Sequence, residues 1–185
     1  MVEILNIPEI RNAVVPISVQ DYRDICTKDP ERYKKTELFR GMIIEKMTKS
    51  AKYDFFSQIL FEEFNGILPS GYILRQEKGI QIQDSELEPD ISIVQGSAKD
   101  FKFSKPTTAR LIIEISVSSP VYDRNKAMDY SIANAEEYWI LDAENEKLEV
   151  YTEPGKNGYK KKEILTDSDT LEIFGKKIEL KKIFE

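Results

Sequence analysis

An acidic residue interrupts the most apolar stretch of the sequence. Glu114 lies within Leu-Ile-Ile-Glu-Ile-Ser at 111–116, where its neighbours are apolar on both faces of a predicted strand. An ionised carboxylate in a central strand is costly unless a cation or a metal ion compensates it. Glu114 is therefore interpreted either as the partner of a buried lysine or arginine or as part of a functional site.

A second acid opens another predicted strand. Asp90 follows Pro89 and precedes the strand Ile91–Val94. Because proline cannot donate to a sheet ladder, Asp90 is expected where the strand begins, with its side chain towards a cleft. If the two strands are neighbours, Asp90 and Glu114 bring oxygens to one point, and a divalent cation would relieve their repulsion. The other interpretation makes Asp90 a turn residue that closes an acidic loop.

Two further residues could complete such a site. Glu45 shares one face of the predicted strand Met42–Met47 with apolar residues and could supply another oxygen. Its alternative is an edge-strand residue that faces solvent. Lys126 lies in the first turn of a predicted helix, three residues after Asp123, and could point back to the strand end to position a water or a phosphate. Its alternative is a solvated helix lysine.

The composition restricts the chemistry. The chain has 185 residues and no histidine, which excludes histidine triads, imidazole bases and His-ligated zinc. Oxygen ligands without histidine favour Mg²⁺ or Mn²⁺. The single cysteine, Cys26, excludes an internal disulfide. The N-terminus lacks the basic and apolar regions of a signal peptide, and no run is long enough to cross a bilayer, so we expect a cytoplasmic protein without a membrane segment.

Charge is distributed unevenly along the chain. The net charge is −6, whereas a protein that coats nucleic acid is usually basic. The segment 34–52 nevertheless contains six cations and two anions, a local charge of +4. Further along, Phe101 and Phe103 alternate with lysines, in a pattern that either stacks on bases or clamps a loop onto the core.

Predicted helices and strands alternate along the chain, and they must position these candidate residues. Capping signals at Ser18 and Ser50 predict helices that run to Ile25 and to about Asn65. The remaining predicted elements are a hairpin at 35–47, strands at 72–82, 91–94, 110–116 and 137–141, a helix at 123–133 and hairpins to the C-terminus. This order predicts a single α/β (α+β) domain over 1–185, with a mixed central β-sheet flanked by helices and additional antiparallel hairpins.

Several motifs in a fixed order resemble the Uma-two family of endonucleases in the PD-(D/E)XK superfamily. They are Glu-Pro-Asp-Ile-Ser-Ile-Val at 88–94, Ile-Ile-Glu-Ile-Ser-Val-Ser-Ser-Pro at 112–120, Asp-Arg-Asn-Lys at 123–126, Tyr130, and Glu-Tyr-Trp-Ile-Leu-Asp at 137–142. The resemblance extends from about Ser18 to Phe184. It implies a restriction-endonuclease-like fold and Mg²⁺-dependent hydrolysis of phosphodiester bonds.

The resemblance also implies roles for individual residues. Asp90 is similar to the aspartate of the motif and Glu114 to its second acid, and Glu45 matches the N-terminal acidic position, so these three would bind the metal. The superfamily lysine normally lies two residues after the second acid, where this chain has Ser116. Lys126 of the following helix would replace it as the fourth catalytic residue.

A histidine that is common in the family near the start of the helix after the Glu45 strand is also missing, since residues 52–54 are Lys-Tyr-Asp. We predict a Mg²⁺-dependent endonuclease that acts on nucleic acid, with DNA as the preferred substrate. We expect this enzyme to be a homodimer. The nucleic-acid contacts are assigned to Lys46, Lys49, Lys52 and Arg124. The alternative is a catalytically weak or inactive nuclease-fold module that binds nucleic acid or protein, which the missing histidine and the displaced lysine favour.

Overall fold

The computed structural model describes residues 7–118 and 120–185, with only the backbone of Ile10 and Arg11. In chain order the elements are α1 (Pro8–Ala13), α2 (Val19–Lys28), α3 (Pro30–Tyr33), β1 (Thr36–Phe39), β2 (Met42–Glu45), α4 (Ala51–Ile67), β3 (Tyr72–Gln76), β4 (Ile80–Ile82), β5 (Ser85–Leu87), β6 (Ile91–Gln95), β7 (Leu111–Ser116), α5 (Val121–Ile132), β8 (Glu137–Asp142), β9 (Lys147–Thr152), β10 (Lys161–Leu165), β11 (Thr170–Ile173), β12 (Lys176–Glu179) and α6 (Lys181–Phe184). The mixed sheet, its helices and its antiparallel hairpins confirm the predicted fold class.

The described chain divides into two compact units. The first comprises the residues up to Met47 together with Asp84–Glu86, and the second comprises Thr48–Gln83 and Leu87–Glu185. The interpretation of 1–185 as one domain stays a prediction. No helix in the described parts of the chain combines the length and the apolarity that crossing a membrane requires.

The first unit contains the predicted capped helix and hairpin. Ser18 Oγ accepts the Asp21 N–H at 3.1 Å, and the Asp21 carboxylate accepts the Ser18 N–H at 3.3 Å, so the capping box that begins α2 is complete. Strands β1 and β2 pair antiparallel, and Arg40 and Gly41 between them both have positive φ, as in a type I′ turn. A Cβ on Gly41 would lie 2.3 Å from the Pro16 Cβ, so the turn requires glycine.

The second unit is built around a six-stranded sheet in the order β10-β9-β8-β7-β6-β3. Strands β7 and β8 are parallel and the other neighbours are antiparallel. Helix α5 forms the connection that a parallel pair needs. Because successive side chains of a strand alternate between faces, this sheet has one apolar face and one face that carries acids.

Helix α4 belongs to the core on the apolar face of this sheet. Ser50 caps the helix by accepting the Tyr53 N–H at 3.2 Å. Its residues Phe56, Leu60 and Phe64 are buried with the sheet residues Ile91, Ile93, Leu111, Ile113, Ile115, Trp139 and Leu141. Phe55, which precedes Phe56 in the sequence, is 43% exposed. Adjacent helical residues point about 100° apart, and Phe56 takes the inward position.

Helix α5 covers the other face of the sheet. Tyr130 of this helix packs against Tyr138 of β8, with ring centres 4.8 Å apart. The strand pairings place Glu114 of β7, Ile140 of β8 and Glu149 of β9 in one row across this face. Helix α5 therefore lies over a buried surface that contains two carboxylates.

Candidate active site

Asp90 is held at the point where β6 begins. Strands β6 and β7 pair with Ile91 opposite Ile113, so Asp90 comes next to the Glu114 position of β7. Its Oδ2 accepts the Ile115 N–H at 2.6 Å. The two carboxylates that the sequence assigns to the site thus come from adjacent positions of neighbouring strands.

Tyr53 fixes the other oxygen of the same carboxylate. It lies in the first turn of α4, is 6% exposed and donates its hydroxyl to Asp90 Oδ1 at 2.6 Å. Burial raises the pKa of Tyr53, and the negative charges of Asp90 and Glu77 raise it further. The phenol therefore stays protonated and acts as a hydrogen-bond donor, which limits the rotation of the Asp90 side chain.

The surroundings of Asp90 disfavour its ionised form. Burial raises the pKa of Asp90 to about 6, although the hydrogen bonds from Tyr53 and Ile115 and the charge of Lys126 lower it. Asp123 contributes a further rise by like-charge repulsion. A carboxylate whose charge is poorly compensated inside a protein is typical of a site that takes up a proton or a cation.

Glu114 is buried in the face under α5 and accepts two donors from that helix. Its side chain is 4% exposed, and its Oε1 lies 3.0 Å from Lys126 Nζ and 2.9 Å from the Tyr130 hydroxyl. Lys126 and Tyr130 are four residues apart, so they lie on the same face of α5. The sequence identified Lys126 as a residue that could point back to the strand, and the structure places it there.

Lys126 is a buried cation with several anionic neighbours. Its side chain is 5% exposed, and its Nζ lies 3.9 Å from Asp123 Oδ1 as well as 3.0 Å from Glu114 Oε1. The same ammonium lies 4.7 Å from the centre of the Tyr122 ring, where a cation–π interaction is favourable. Both the structural interpretation of Glu114, as the partner of a lysine, and the catalytic interpretation of Lys126 are compatible with this arrangement.

The donor set fits a divalent metal of the magnesium type. Mg²⁺ in proteins is commonly bound by one or two carboxylates and completed by water and phosphate oxygens. Asp90 and Glu114 offer such a pair, and the pKa of Asp90 is raised chiefly because its carboxyl is buried. Among the described residues no group of three or more acidic or thiol side chains could enclose a metal ion.

Glu45 lies in the first unit, on strand β2, and is exposed. Met47, which was expected to share an apolar face with Glu45, is 69% exposed. These exposures favour the solvent-facing interpretation of this strand. The assignment of Glu45 as a metal ligand and catalytic residue stays a prediction.

The four residues predicted to bind nucleic acid differ in their surroundings. Lys46 is partly buried in the first unit. In the second unit, Lys49 forms an ion pair with Glu77 and lies 5.4 Å from the centre of the Tyr53 ring, next to the Asp90 hydrogen bond. Lys52 Nζ is 3.5 Å from Glu144, and Arg124 pairs with Glu149. Their contacts with nucleic acid stay predictions.

The sequence did not identify the two tyrosines as parts of the site. Tyr130 could have been found from its spacing of four residues after Lys126, which places both on one helix face. Tyr53 gives no such signal, because its contact with Asp90 joins residues 37 positions apart. Only the packing of the α4 N-terminus against the start of β6 brings that pair together.

The comparisons with known proteins concern the family and the fold. The sequence matches the Uma2 family, described as "Putative restriction endonuclease", over residues 19–180. Among solved structures the fold is similar to that of a "putative nuclease belonging to DUF820" from Anabaena variabilis, with a TM-score of 0.76 and 17% identity, covering 91% of this chain and 98% of that one. A comparison with curated proteins gave no match.

Proposed function

The chain belongs to the Uma2 family of restriction-endonuclease-like proteins, and from this membership we propose that it is a Mg²⁺-dependent endonuclease that hydrolyses phosphodiester bonds. The observation that supports the proposal is that Asp90 accepts the N–H of Ile115, the residue after Glu114, while Lys126 contacts Glu114 and its charge also acts on Asp90. Two carboxylates and a lysine from separate elements are the set that such chemistry requires without histidine.

Asp90 and Glu114 would hold the metal. When bound there, a divalent cation lowers the pKa of a coordinated water and neutralises charge on the scissile phosphate. The protein's own part is to keep the carboxylates in place. The Tyr53 hydroxyl and the Ile115 N–H each bind one oxygen of Asp90, and the Tyr130 hydroxyl binds Glu114, so neither carboxylate is free to rotate.

Lys126 would act on the phosphate or on the attacking water. Its ammonium has three donors and a buried position, which strengthens its electrostatic effect on a developing negative charge. The contact with Glu114 directs the lysine side chain towards β7. This role does not depend on a lysine at the position of Ser116.

The finer parts of the proposal concern substrate, assembly and location. We infer DNA as the substrate because the family is described as restriction endonucleases. We infer a homodimer because cleavage of both strands of a duplex requires two active sites. Lys46, Lys49, Lys52 and Arg124 would contact the phosphate backbone, and Glu45 would assist at the metal. The single Cys26 is consistent with the reducing cytoplasm.

Cleavage assays test the proposal. Purified protein is incubated with plasmid, linear and single-stranded DNA, with Mg²⁺ or Mn²⁺ and with EDTA. We expect metal-dependent cleavage that disappears in the Asp90→Ala and Glu114→Ala variants. Cleavage by both folded variants at the wild-type rate would reject the assignment. Light scattering that gives a monomer would reject the dimer alone.

One observation favours the alternative of a nuclease fold that binds without cutting. Lys126 and Tyr130 both bind Glu114, and a residue so engaged can serve folding alone. Calorimetry distinguishes the two functions. Absence of any heat on titration with millimolar Mn²⁺, together with affinity for DNA in EDTA, would favour the binding module.

A further inference from the structure

An exposed aromatic ring stands among lysines in the loop between β6 and β7. We define residues 97–105 as the Phe103 loop; it contains three lysines and one aspartate, a local charge of +2 in a chain of net charge −6. Phe103 is 90% exposed. Lys102 Nζ lies 4.9 Å from the centre of its ring. The expectation that both phenylalanines of this loop clamp it onto the core is therefore wrong for Phe103.

Other residues of the Phe103 loop form hydrogen bonds and packing contacts that position the exposed ring. Asp100 Oδ2 accepts the Ser97 N–H at 2.7 Å and the Ser97 hydroxyl at 2.8 Å. Phe101 is partly buried under Arg75, whose guanidinium carbon is 5.3 Å from the ring centre. Phe101 therefore packs against the protein, whereas Phe103 is exposed to solvent.

Contacts at the far end of the loop lead to the candidate active site. The Lys105 side chain lies across Gly79, where an added Cβ would be 2.6 Å from Lys105 Nζ. Gly79 follows the exposed Lys78, and the Glu77 N–H donates to the Asp90 carbonyl at 3.0 Å. The end of the Phe103 loop at Lys105 is therefore in contact with the segment 77–79, whose Glu77 N–H binds the Asp90 carbonyl.

We propose that the Phe103 loop binds single-stranded nucleic acid, with a base stacked on Phe103 and the phosphates beside Lys102 and Lys105. An exposed aromatic ring between cations offers the two interactions that hold an unpaired strand, stacking on the base and attraction of the backbone. A paired strand keeps its bases stacked on one another, so the ring selects unpaired segments. The inference extends the proposed nuclease function by naming where the strand continues beyond the acids.

Anisotropy of a fluorescein-labelled oligothymidylate, measured in EDTA, tests the inference without cleavage. We expect Phe103→Ala to weaken binding about tenfold, since one base-stacking contact is lost. Lys102→Ala should reduce the slope of affinity against salt by about 0.7. Ile164→Ala, which removes another exposed apolar side chain (59% exposed, on β10), is the matched control and should bind as the wild type does.

A second variant gives a signal that a structural role would not produce. Phe103→Trp adds an exposed indole whose fluorescence should be quenched when a base stacks on it, whereas Trp139 is fully buried and gives a constant background. We expect this variant to keep wild-type affinity. Wild-type affinity in Phe103→Ala, no quenching in Phe103→Trp, or no binding of the single strand by the wild type would each overturn the inference.

The same measurements separate this inference from the nuclease function. If Asp90→Ala abolishes cleavage while Phe103→Ala keeps its affinity, the nuclease function stands and the loop assignment fails. If binding depends on Phe103 while no substrate is cleaved, the loop assignment stands and the nuclease function fails.

Discussion

Glu114 and Glu149 are two buried carboxylates in one row of the same sheet, separated by Ile140. Both residues are 3% exposed, and α5 supplies a cation to each, Lys126 to Glu114 and Arg124 to Glu149. The two positions would be hard to distinguish by burial alone. They differ in how many cations and how many acids surround them.

Around Glu149 the negative charge is fully compensated. Arg124 Nε donates to both carboxylate oxygens at 3.0 and 3.1 Å, Lys162 Nζ lies at 2.9 Å, and the Tyr151 hydroxyl donates at 2.7 Å. Burial alone would raise the pKa of Glu149, but these hydrogen bonds outweigh it and lower the pKa to about 2. This cluster is a structural ion-pair network.

Around Glu114 the charges are arranged differently. Lys126 is shared with Asp123, Asp90 lies at the adjacent strand position, and burial raises the pKa of Asp90 to about 6. The difference teaches that a buried carboxylate becomes a candidate for chemistry when it shares its cation with other acids. The following predictions use the Glu149 cluster as the internal control.

Loss of hydrolysis is the largest expected difference between the clusters. Asp90→Asn and Glu114→Gln each remove a charge that would bind the metal, and we expect the cleavage rate to fall at least about a thousandfold. This loss is larger than the roughly 10- to 100-fold loss that is typical when a residue hydrogen-bonded to a metal ligand is removed. Glu149→Gln should retain cleavage. Initial rates on plasmid DNA in Mg²⁺ measure all three. Equal losses in the three folded variants would remove the distinction.

Deletion of the two cations should separate the clusters by stability. Lys126→Met leaves several acids near one another without their buried ammonium, and we expect a loss of about 3 kcal/mol in the free energy of unfolding at neutral pH. Arg124→Met removes a side chain that is 43% exposed while Lys162 still compensates Glu149. We expect a loss of at most about 1 kcal/mol there. Urea denaturation in EDTA measures both, and the reverse order would contradict the comparison.

The pH dependence of stability should identify Asp90 as the uncompensated acid. Its pKa is about 6 in the folded protein and 3.8 in the reference state, so the folded state binds the proton more tightly and loses stability as pH rises from about 4 to 6. In metal-free buffer, Asp90→Asn should therefore be more stable than the wild type by about 3 kcal/mol at pH 7, with the gain fading towards pH 4. A gain that is the same at both pH values would refute this cause.

Removal of the Tyr53 hydroxyl should have the smallest effect. Tyr53→Phe keeps the ring in the core but deletes the donor to Asp90 Oδ1, and we expect about tenfold weaker Mn²⁺ binding in calorimetry. Tyr53→His returns an N–H donor and should recover part of the affinity. Tyr151→Phe, which deletes the equivalent donor to Glu149, is the matched control and should leave Mn²⁺ binding unchanged. Equal effects of the two Phe variants would exclude positioning by Tyr53.

Much of this arrangement could be predicted from the sequence because its signals are local. The strand that contains Glu114, the strand that follows Asp90 and the caps at Ser18 and Ser50 depend on residues a few positions apart, and the structure contains all of them. Lys126 belongs to the same class, since its place early in the helix that follows a buried strand limits where its side chain can reach, although α5 begins at Val121 and Lys126 lies in its second turn. Short helices such as α6 were missed because four residues give no periodicity.

The remainder depends on contacts between distant elements. Glu149 alternates with Leu148 and Val150, which is typical of a strand with one solvated face, yet α5 covers that face and buries the carboxylate. Tyr53 reaches Asp90 only because α4 packs across the sheet near the start of β6. Glu45 shows the opposite case, since its alternation with apolar residues suggested a buried face, whereas Glu45 itself is exposed and Ile43 is only partly buried.

Calorimetric titration of the metal-free protein with Mn²⁺ tests the central claim most directly, because it measures the cation that Asp90 and Glu114 are expected to bind. We predict saturable binding by the wild type and by Glu149→Gln, and its loss in Asp90→Asn and in Glu114→Gln. Binding that survives in both of the latter variants, or its absence in the folded wild type, would contradict the account.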